Sequence, residues 1–147
     1  MAAIRKAHVV WTGDLMKGKG TIETVSSGAY SGLPVTWASR TEEPGGKTSP
    51  EELLASSHAS CFCMAFSNML AKAGHAPERL EVTAEVTFEQ VPGGFKVKSS
   101  ALDLKGRVPG IDAERFRTIA EDAKENCPIS QAIKGNVELR LKAQLQG

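Results

Sequence analysis

A surplus of one charge is missing from this chain: 18 Lys and Arg stand against 17 Asp and Glu, a formal net charge of +1. The charges are spread along the sequence, so no basic stripe invites nucleic acid or an anionic membrane. The N-terminal residues lack the apolar core of a secretory signal, and the expected compartment is the cytoplasm. Residues 53–71 carry no formal charge. However, Ser56, Ser57, His58, Ser60, Ser67 and Asn68 interrupt that run, which fits a buried helix and not a membrane span. Cysteine is scarce, and the number is odd: Cys61, Cys63 and Cys127. Without export, three thiols do not form a structural disulfide framework; a disulfide in a reducing cytoplasm is transient and catalytic. Paired Cys or His at zinc-ribbon or zinc-finger spacing is absent, and the glycine-rich stretch 13–20 has neither Walker nor dinucleotide-binding spacing. Internal repeats and low-complexity segments are absent too. At 147 residues the chain is expected to form one domain, residues 1–147.

What is present is organised around residues 49–74. Ser49 is a helix N-cap, Pro50 suits the first helical position, Glu52 sits three residues after the cap, and Gly74 suits the position after the last turn. Ala55, Ala59, Phe62, Phe66, Met69 and Ala73 recur at helical spacing, while Leu54, His58, Cys61 and Ala65 form a second face. Such a helix needs cover on several sides. Before it, residues 7–11, 21–25 and 35–38 read as short strands, with Arg40 directly after the third. After it, residues 80–88 alternate strictly and pair through Pro92-Gly93-Gly94 with a strand over 95–104 that bulges near Ser99-Ser100. Asp112 caps a helix over 113–126, Pro128 opens a short helix with Cys127 as N-cap, and 137–145 is a closing strand. The order β-β-β-α-β-β-α-α-β gives an α+β fold with antiparallel sheets and two main helices.

Three groups of residues carry possible chemistry. Cys127, at a helix start, faces free backbone N–H groups and the positive end of the dipole, a setting that favours thiolate. Cys61 lies mid-helix, where its thiol is either packing or chemistry; Cys63, two residues on, points to the opposite side and is assigned to packing. His58 shares a face with Cys61. It is read as a polar residue satisfied inside the fold, with a catalytic base or a metal ligand alongside Cys61 and Cys127 as the other readings. A thiolate at Cys61 inside an apolar helix needs a cation, and Arg40, held by a carboxylate such as Glu51, has the forked geometry for it. Glu51 and Cys61 are ten residues apart, about 15 Å along a helix. Glu51 therefore serves the Cys61 of a second subunit more easily than its own, which points to an interlocked symmetric dimer with composite sites.

The motifs Ser49-Pro50-Glu51-Glu52-Leu53-Leu54, Ala59-Ser60-Cys61-Phe62 and Asn126-Cys127-Pro128-Ile129-Ser130-Gln131 resemble those of the OsmC/Ohr family of thiol peroxidases. Trp11-Thr12-Gly13-Asp14, Lys17-Gly18-Lys19-Gly20 and Val108-Pro109-Gly110-Ile111-Asp112 resemble its OsmC branch. That resemblance implies a swapped α+β homodimer with a long central helix, acting in oxidative and osmotic stress defence. It implies reduction of organic hydroperoxides, and more weakly of hydrogen peroxide. Cys61 then corresponds to the peroxidatic cysteine, Cys127 to the resolving one, Glu51 to the carboxylate ten residues before the first cysteine. The family's arginine follows the third strand in the OsmC branch, where Arg40 stands; in the Ohr branch it lies in the first hairpin, where this chain has Lys17 and Lys19. The implied chemistry uses no cofactor or metal, only an external dithiol, a lipoyl group or lipoylated protein. The reading of another class is a non-catalytic dimer that binds small hydrophobic molecules, its buried thiols inert.

Overall fold

A three-stranded antiparallel meander opens the chain, β1 (Ala7–Thr12), β2 (Lys19–Val25) and β3 (Ser31–Val35), in the order β1-β2-β3. The computed structural model describes all residues, 1–147, in two compact units, Met1–Leu53 and Leu54–Gly147. In the first unit Trp11 pairs with Gly20 across β1 and β2. A Cβ on Gly20 would lie 2.7 Å from the Trp11 ring, so the indole needs the bare glycine beneath it. All six residues of β1 are exposed, and Ile22 is the unit's one buried large apolar side chain.

The third strand ends earlier than the apolar run 35–38 suggests. Trp37–Thr41 forms a helical turn instead, α1. Thr36 caps it: its Oγ1 accepts from Ser39 N at 3.0 Å, and Ser39 Oγ accepts from Thr36 N at 3.0 Å. This reciprocal capping outweighs the β propensity of Val35, Thr36 and Trp37, a run too short for periodicity to decide. It also places Arg40 on a helical turn.

Helix α2 (Pro50–Lys72) begins and ends where its caps put it. Ser49 Oγ accepts from Glu52 N at 3.1 Å. At the other end Gly74 has φ +88°, His75 N donates to Leu70 O at 2.8 Å and Gly74 N to Ala71 O at 3.0 Å, the bond pair of a Schellman motif. Within the second unit, His58, Phe62, Phe66 and Leu70 form one stripe at i, i+4 spacing that is completely buried. Ser56, Ser60, Met64 and Asn68 form an exposed stripe at the same spacing, with Met64 73% exposed. The helix is thus covered on one side and open on the other.

The second sheet has the order β4-β5-β6, with β4 (Arg79–Val91), β5 (Gly94–Arg107) and β6 (Glu138–Leu145). β4 and β5 form the expected antiparallel hairpin, and Thr87 pairs with Ser99 while Phe88 pairs with Val97, so Lys98 is the extra, bulged residue. The bulge reverses the alternation along β5. Beyond it Ser100, Leu102, Leu104 and Gly106 are the buried set. β6 runs parallel to β5, which makes this sheet mixed where antiparallel pairing is expected from the sequence. The two strands are joined by α3 (Ala113–Asn126) and α4 (Pro128–Ile133), and a helical crossover returns the chain in its original direction.

The core of this unit joins Phe62, Phe66 and Leu70 of α2 to Leu102 and Leu104 of β5 and to Phe116, Ile119, Ala120 and Ala123 of α3. Phe66 meets Phe116 edge-on at 5.2 Å between ring centroids. Phe116 lies so close to Gly106 that a Cβ there would approach the ring to 2.7 Å. Gly106→Val is expected to cost about 1–3 kcal/mol by overpacking, read as a melting temperature lower by roughly 3–10 °C. An unchanged melting temperature would mean that α3 yields to the added methyls. No helix is long and apolar enough to cross a membrane.

Candidate active site

The first unit holds Arg40 and Glu51 together. Glu51, in the first turn of α2, is 7% exposed. Its carboxylate accepts from Arg40 Nη2 at 2.6 Å and from Arg40 Nε at 3.0 and 3.1 Å. This two-pronged pairing fixes the plane of the guanidinium, as a single hydrogen bond does not. The Arg40 Cζ also sits 5.9 Å from the centroid of the Trp37 ring, so the cation is held from two directions. Around it lies a cavity of about 280 Å³ lined by Trp11, Leu15, Val35, Thr36, Trp37, Arg40 and Pro50. The lining is apolar apart from Thr36 and one fixed positive charge.

The second unit holds the two cysteines. Cys127 is fully buried, ending α3 and capping α4. Pro128 has no N–H, so the first free donors of α4 are those of Ile129 and Ser130. Ser130 N donates to Cys127 Sγ at 3.3 Å. The Ile129 backbone N–H and the Cys127 thiol are the groups that act on the sulfur of Cys61. The start of α4 thus sets a backbone donor on Cys127 and another beside Cys61, whose neighbour is Cys127, and both cysteines are free thiols. Burial pushes the Cys61 pKa above the ordinary thiol value, the Ile129 N–H pulls it down, and neighbouring Cys127 pushes it up. Cys61 in these surroundings still calls for a cation if it is to work as thiolate.

Cys63 lies apart, in an open groove with Met64, Ser67, Asn68 and Ala71 of α2 and residues 77–80 before and into β4. Desolvation raises its pKa as well. His58 is completely buried, with both ring nitrogens hydrogen-bonded to serines: Nδ1 to Ser100 Oγ at 2.6 Å and Nε2 to Ser130 Oγ at 2.8 Å. Burial lowers its pKa, so the ring is neutral near pH 7. Both ring nitrogens are thus engaged by serine hydroxyls.

Ser100, Ser130 and the Ile129 N–H are parts of the site that sequence reasoning passes over. Ser130 was open to detection, since it stands three residues after an N-cap. Ser100 was not, because its inward direction depends on the bulge at Lys98.

Comparison with known proteins gives this geometry a context. The sequence profile of the OsmC-like protein family matches residues 43–142. Peroxiredoxin OsmC of Escherichia coli (strain K12) is 41% identical over 139 residues, covering 95% of this chain and 96% of its own length. The organic hydroperoxide resistance protein of Xanthomonas axonopodis pv. citri is 34% identical over 66% of this chain and 67% of its own. Among solved structures, an organic hydroperoxide resistance protein OsmC from Legionella pneumophila superposes with a TM-score of 0.70 at 26% identity, covering 97% of this chain and 99% of that one. OhrB of Bacillus subtilis superposes with a TM-score of 0.67 at 25% identity, over 96% and 98%. The profile match over residues 43–142 and the 41% identity over 95% of the chain show that the chain belongs to the OsmC-like family.

Proposed function

We propose that this protein is a cysteine-based peroxidase that reduces organic hydroperoxides, and hydrogen peroxide more weakly. The observation that carries the reading is that Cys61 and Cys127 are neighbours at the start of α4, with Cys127 as its N-cap and the Ser130 N–H on the Cys127 sulfur. Inert core thiols gain nothing from a proline-opened helical turn whose donors are aimed at them. The 41% identity to a peroxiredoxin OsmC supports the same activity.

Cys61 thiolate attacks the terminal oxygen of the hydroperoxide. The O–O bond breaks, an alcohol leaves, and Cys61 becomes a sulfenic acid. Cys127 then attacks the Cys61 sulfur, water leaves and a disulfide forms, a bond that needs Cα atoms within about 7 Å. An external dithiol of the lipoyl type restores both thiols through a mixed disulfide. The oxidising equivalent comes from the peroxide and the reducing one from the dithiol, so the cycle calls for no bound cofactor or metal. Such a cycle suits the cytoplasm, where dithiol reductants are available.

Arg40 favours the Cys61 thiolate and the charge growing on the leaving oxygen, and Glu51 holds Arg40 in place. In our reading these two residues serve the Cys61 of a second subunit, in a swapped homodimer with two composite sites. Support comes from two surfaces of the chain. Val9, Val10 and Trp11 of β1 are 53%, 39% and 41% exposed, and Met64 on the open side of α2 is 73% exposed. An exposed apolar run such as that of β1 marks an interaction surface, and Met64 offers a second apolar contact on α2. The apolar cavity beside Arg40 supports an organic substrate: it takes an alkyl or aryl group, while hydrogen peroxide has nothing to place there.

The test is a titration of free thiols before and after one equivalent of cumene hydroperoxide, with hydrogen peroxide in parallel, on the wild type and on each Cys→Ser variant. The expected result is a loss of two thiols that requires Cys61 and Cys127 and not Cys63. An unchanged titre under non-denaturing conditions would overturn the reading.

A further inference from the structure

His58 has no part in the chemistry above, yet an unbroken line of hydrogen bonds connects it to a reacting sulfur. Ser130 Oγ lies 3.2 Å from Cys127 Sγ and 2.8 Å from His58 Nε2, and His58 Nδ1 lies 2.6 Å from Ser100 Oγ. Cys127, Ser130, His58 and Ser100 are all fully buried. The directions of the protons follow from counting donors. Cys127 Sγ accepts from Ser130 N, and its own S–H donates to Ser130 Oγ. The single Ser130 hydroxyl proton is then free to donate to His58 Nε2, which leaves the imidazole proton on Nδ1, donating to Ser100. The neutral ring that burial favours has the Nε2 lone pair this arrangement needs.

We propose that Ser130 and His58 form a proton relay for Cys127: Ser130 is the catalytic group that takes the thiol proton, and His58 is the positioning residue behind it that accepts the proton Ser130 gives up. The inference rests on the peroxidase reading, in which Cys127 attacks the Cys61 sulfenic acid. In that step the Cys127 S–H bond breaks and its proton passes to Ser130 Oγ as the Ser130 proton passes to His58 Nε2. The sulfur lone pair forms the S–S bond to Cys61, and the Cys61 S–O bond breaks. Cys127 is oxidised and the Cys61 sulfur reduced. Hydroxide leaves with the bonding pair and takes a proton from solvent, which reaches the partly exposed Cys61. His58, whose charged form burial disfavours, releases one proton to solvent in exchange for the one the hydroxide took, so the net products are one disulfide and one water.

The bulge in β5 is part of the device. It turns Ser100 inward, and Ser100 accepts the Nδ1 proton and so selects the tautomer with Nε2 free. A histidine that merely fills space has no need of a serine that also touches the resolving sulfur.

Two measurements test the relay. In the unsubstituted reduced protein, long-range ¹H–¹⁵N NMR is expected to find His58 protonated on Nδ1; protonation on Nε2 would overturn the proposal, and no variant is needed to learn it. Rapid-quench kinetics with one equivalent of cumene hydroperoxide then separate sulfenic acid formation, trapped with dimedone, from disulfide closure. Without the relay the Cys127 proton loses its acceptor, so closure is expected to slow about ten- to thirtyfold in Ser130→Ala and His58→Gln. Sulfenic acid formation should stay within about twofold. Ser130→Thr keeps the hydroxyl and should restore closure to within about threefold of the wild type. Closure at the wild-type rate in Ser130→Ala, or equal slowing of both steps, would overturn the relay and leave the peroxidase reading standing. If wild-type protein forms no sulfenic acid, both fail together.

Discussion

Cys61→Ser protein is expected to consume no cumene hydroperoxide above background, a fall in turnover of more than roughly 10³-fold, because the hydroxyl that replaces the thiol is scarcely ionised at neutral pH and cannot hold the oxygen. Cys127→Ser should fail differently. It keeps the first step, forms one sulfenic acid per chain that dimedone traps, and then stalls for want of an internal thiol. Both serines are close to cysteine in volume, so melting temperatures should stay near that of the wild type, and the contrast lies in chemistry alone. The outcome that would sink the assignment is a Cys61→Ser protein that still turns over peroxide, or a Cys127→Ser protein that forms a disulfide as readily as the wild type. The latter would pass the resolving role to Cys63, which lies on another face of α2 in an open groove.

The helix ends that position these residues are legible in the sequence. Ser49, Pro50 and Gly74 mark the ends of α2 because capping is local chemistry, carried by the residues at the ends themselves. Cys127-Pro128 announces a helix start for the same reason, and its sulfur does accept from Ser130 N. The failures share a different cause. The run 35–38 has strand propensity, yet Thr36 and Ser39 cap one another and turn it into α1. β6 pairs in parallel with β5 because two helices intervene, and alternation in a strand does not encode the direction of its partner. His58 was readable as a satisfied polar residue; its partners Ser100 and Ser130 are 42 and 72 residues away, and no local pattern names them.

Arg40→Met is expected to lower kcat/KM by about 10²- to 10³-fold, the size of effect seen when a fixed donor to a developing negative charge is removed. Arg40→Lys should recover little, since an ammonium cannot reproduce a fork that meets Glu51 through both Nε and Nη2. The stability of these variants distinguishes a catalytic pair from a structural one. Arg40→Met leaves the Glu51 carboxylate buried without its partner, at a cost of about 3 kcal/mol, near the low end for a broken buried pair because the arginine side chain is 29% exposed. In the double variant Arg40→Met, Glu51→Met no charge is stranded, and the melting temperature should return towards that of the wild type. Activity should not return with it. Recovery of both together would make the pair a scaffold and nothing more. Subunit mixing then asks which Cys61 the pair serves. Arg40→Met and Cys61→Ser proteins, each inactive alone, are exchanged into heterodimers, with exchange followed by mass spectrometry. If Arg40 reaches the partner's thiol, one site of each heterodimer collects both defects and the other is intact, so an equimolar mixture regains about a quarter of wild-type activity. If Arg40 serves its own Cys61, every site keeps one defect, and fully exchanged dimers stay inactive.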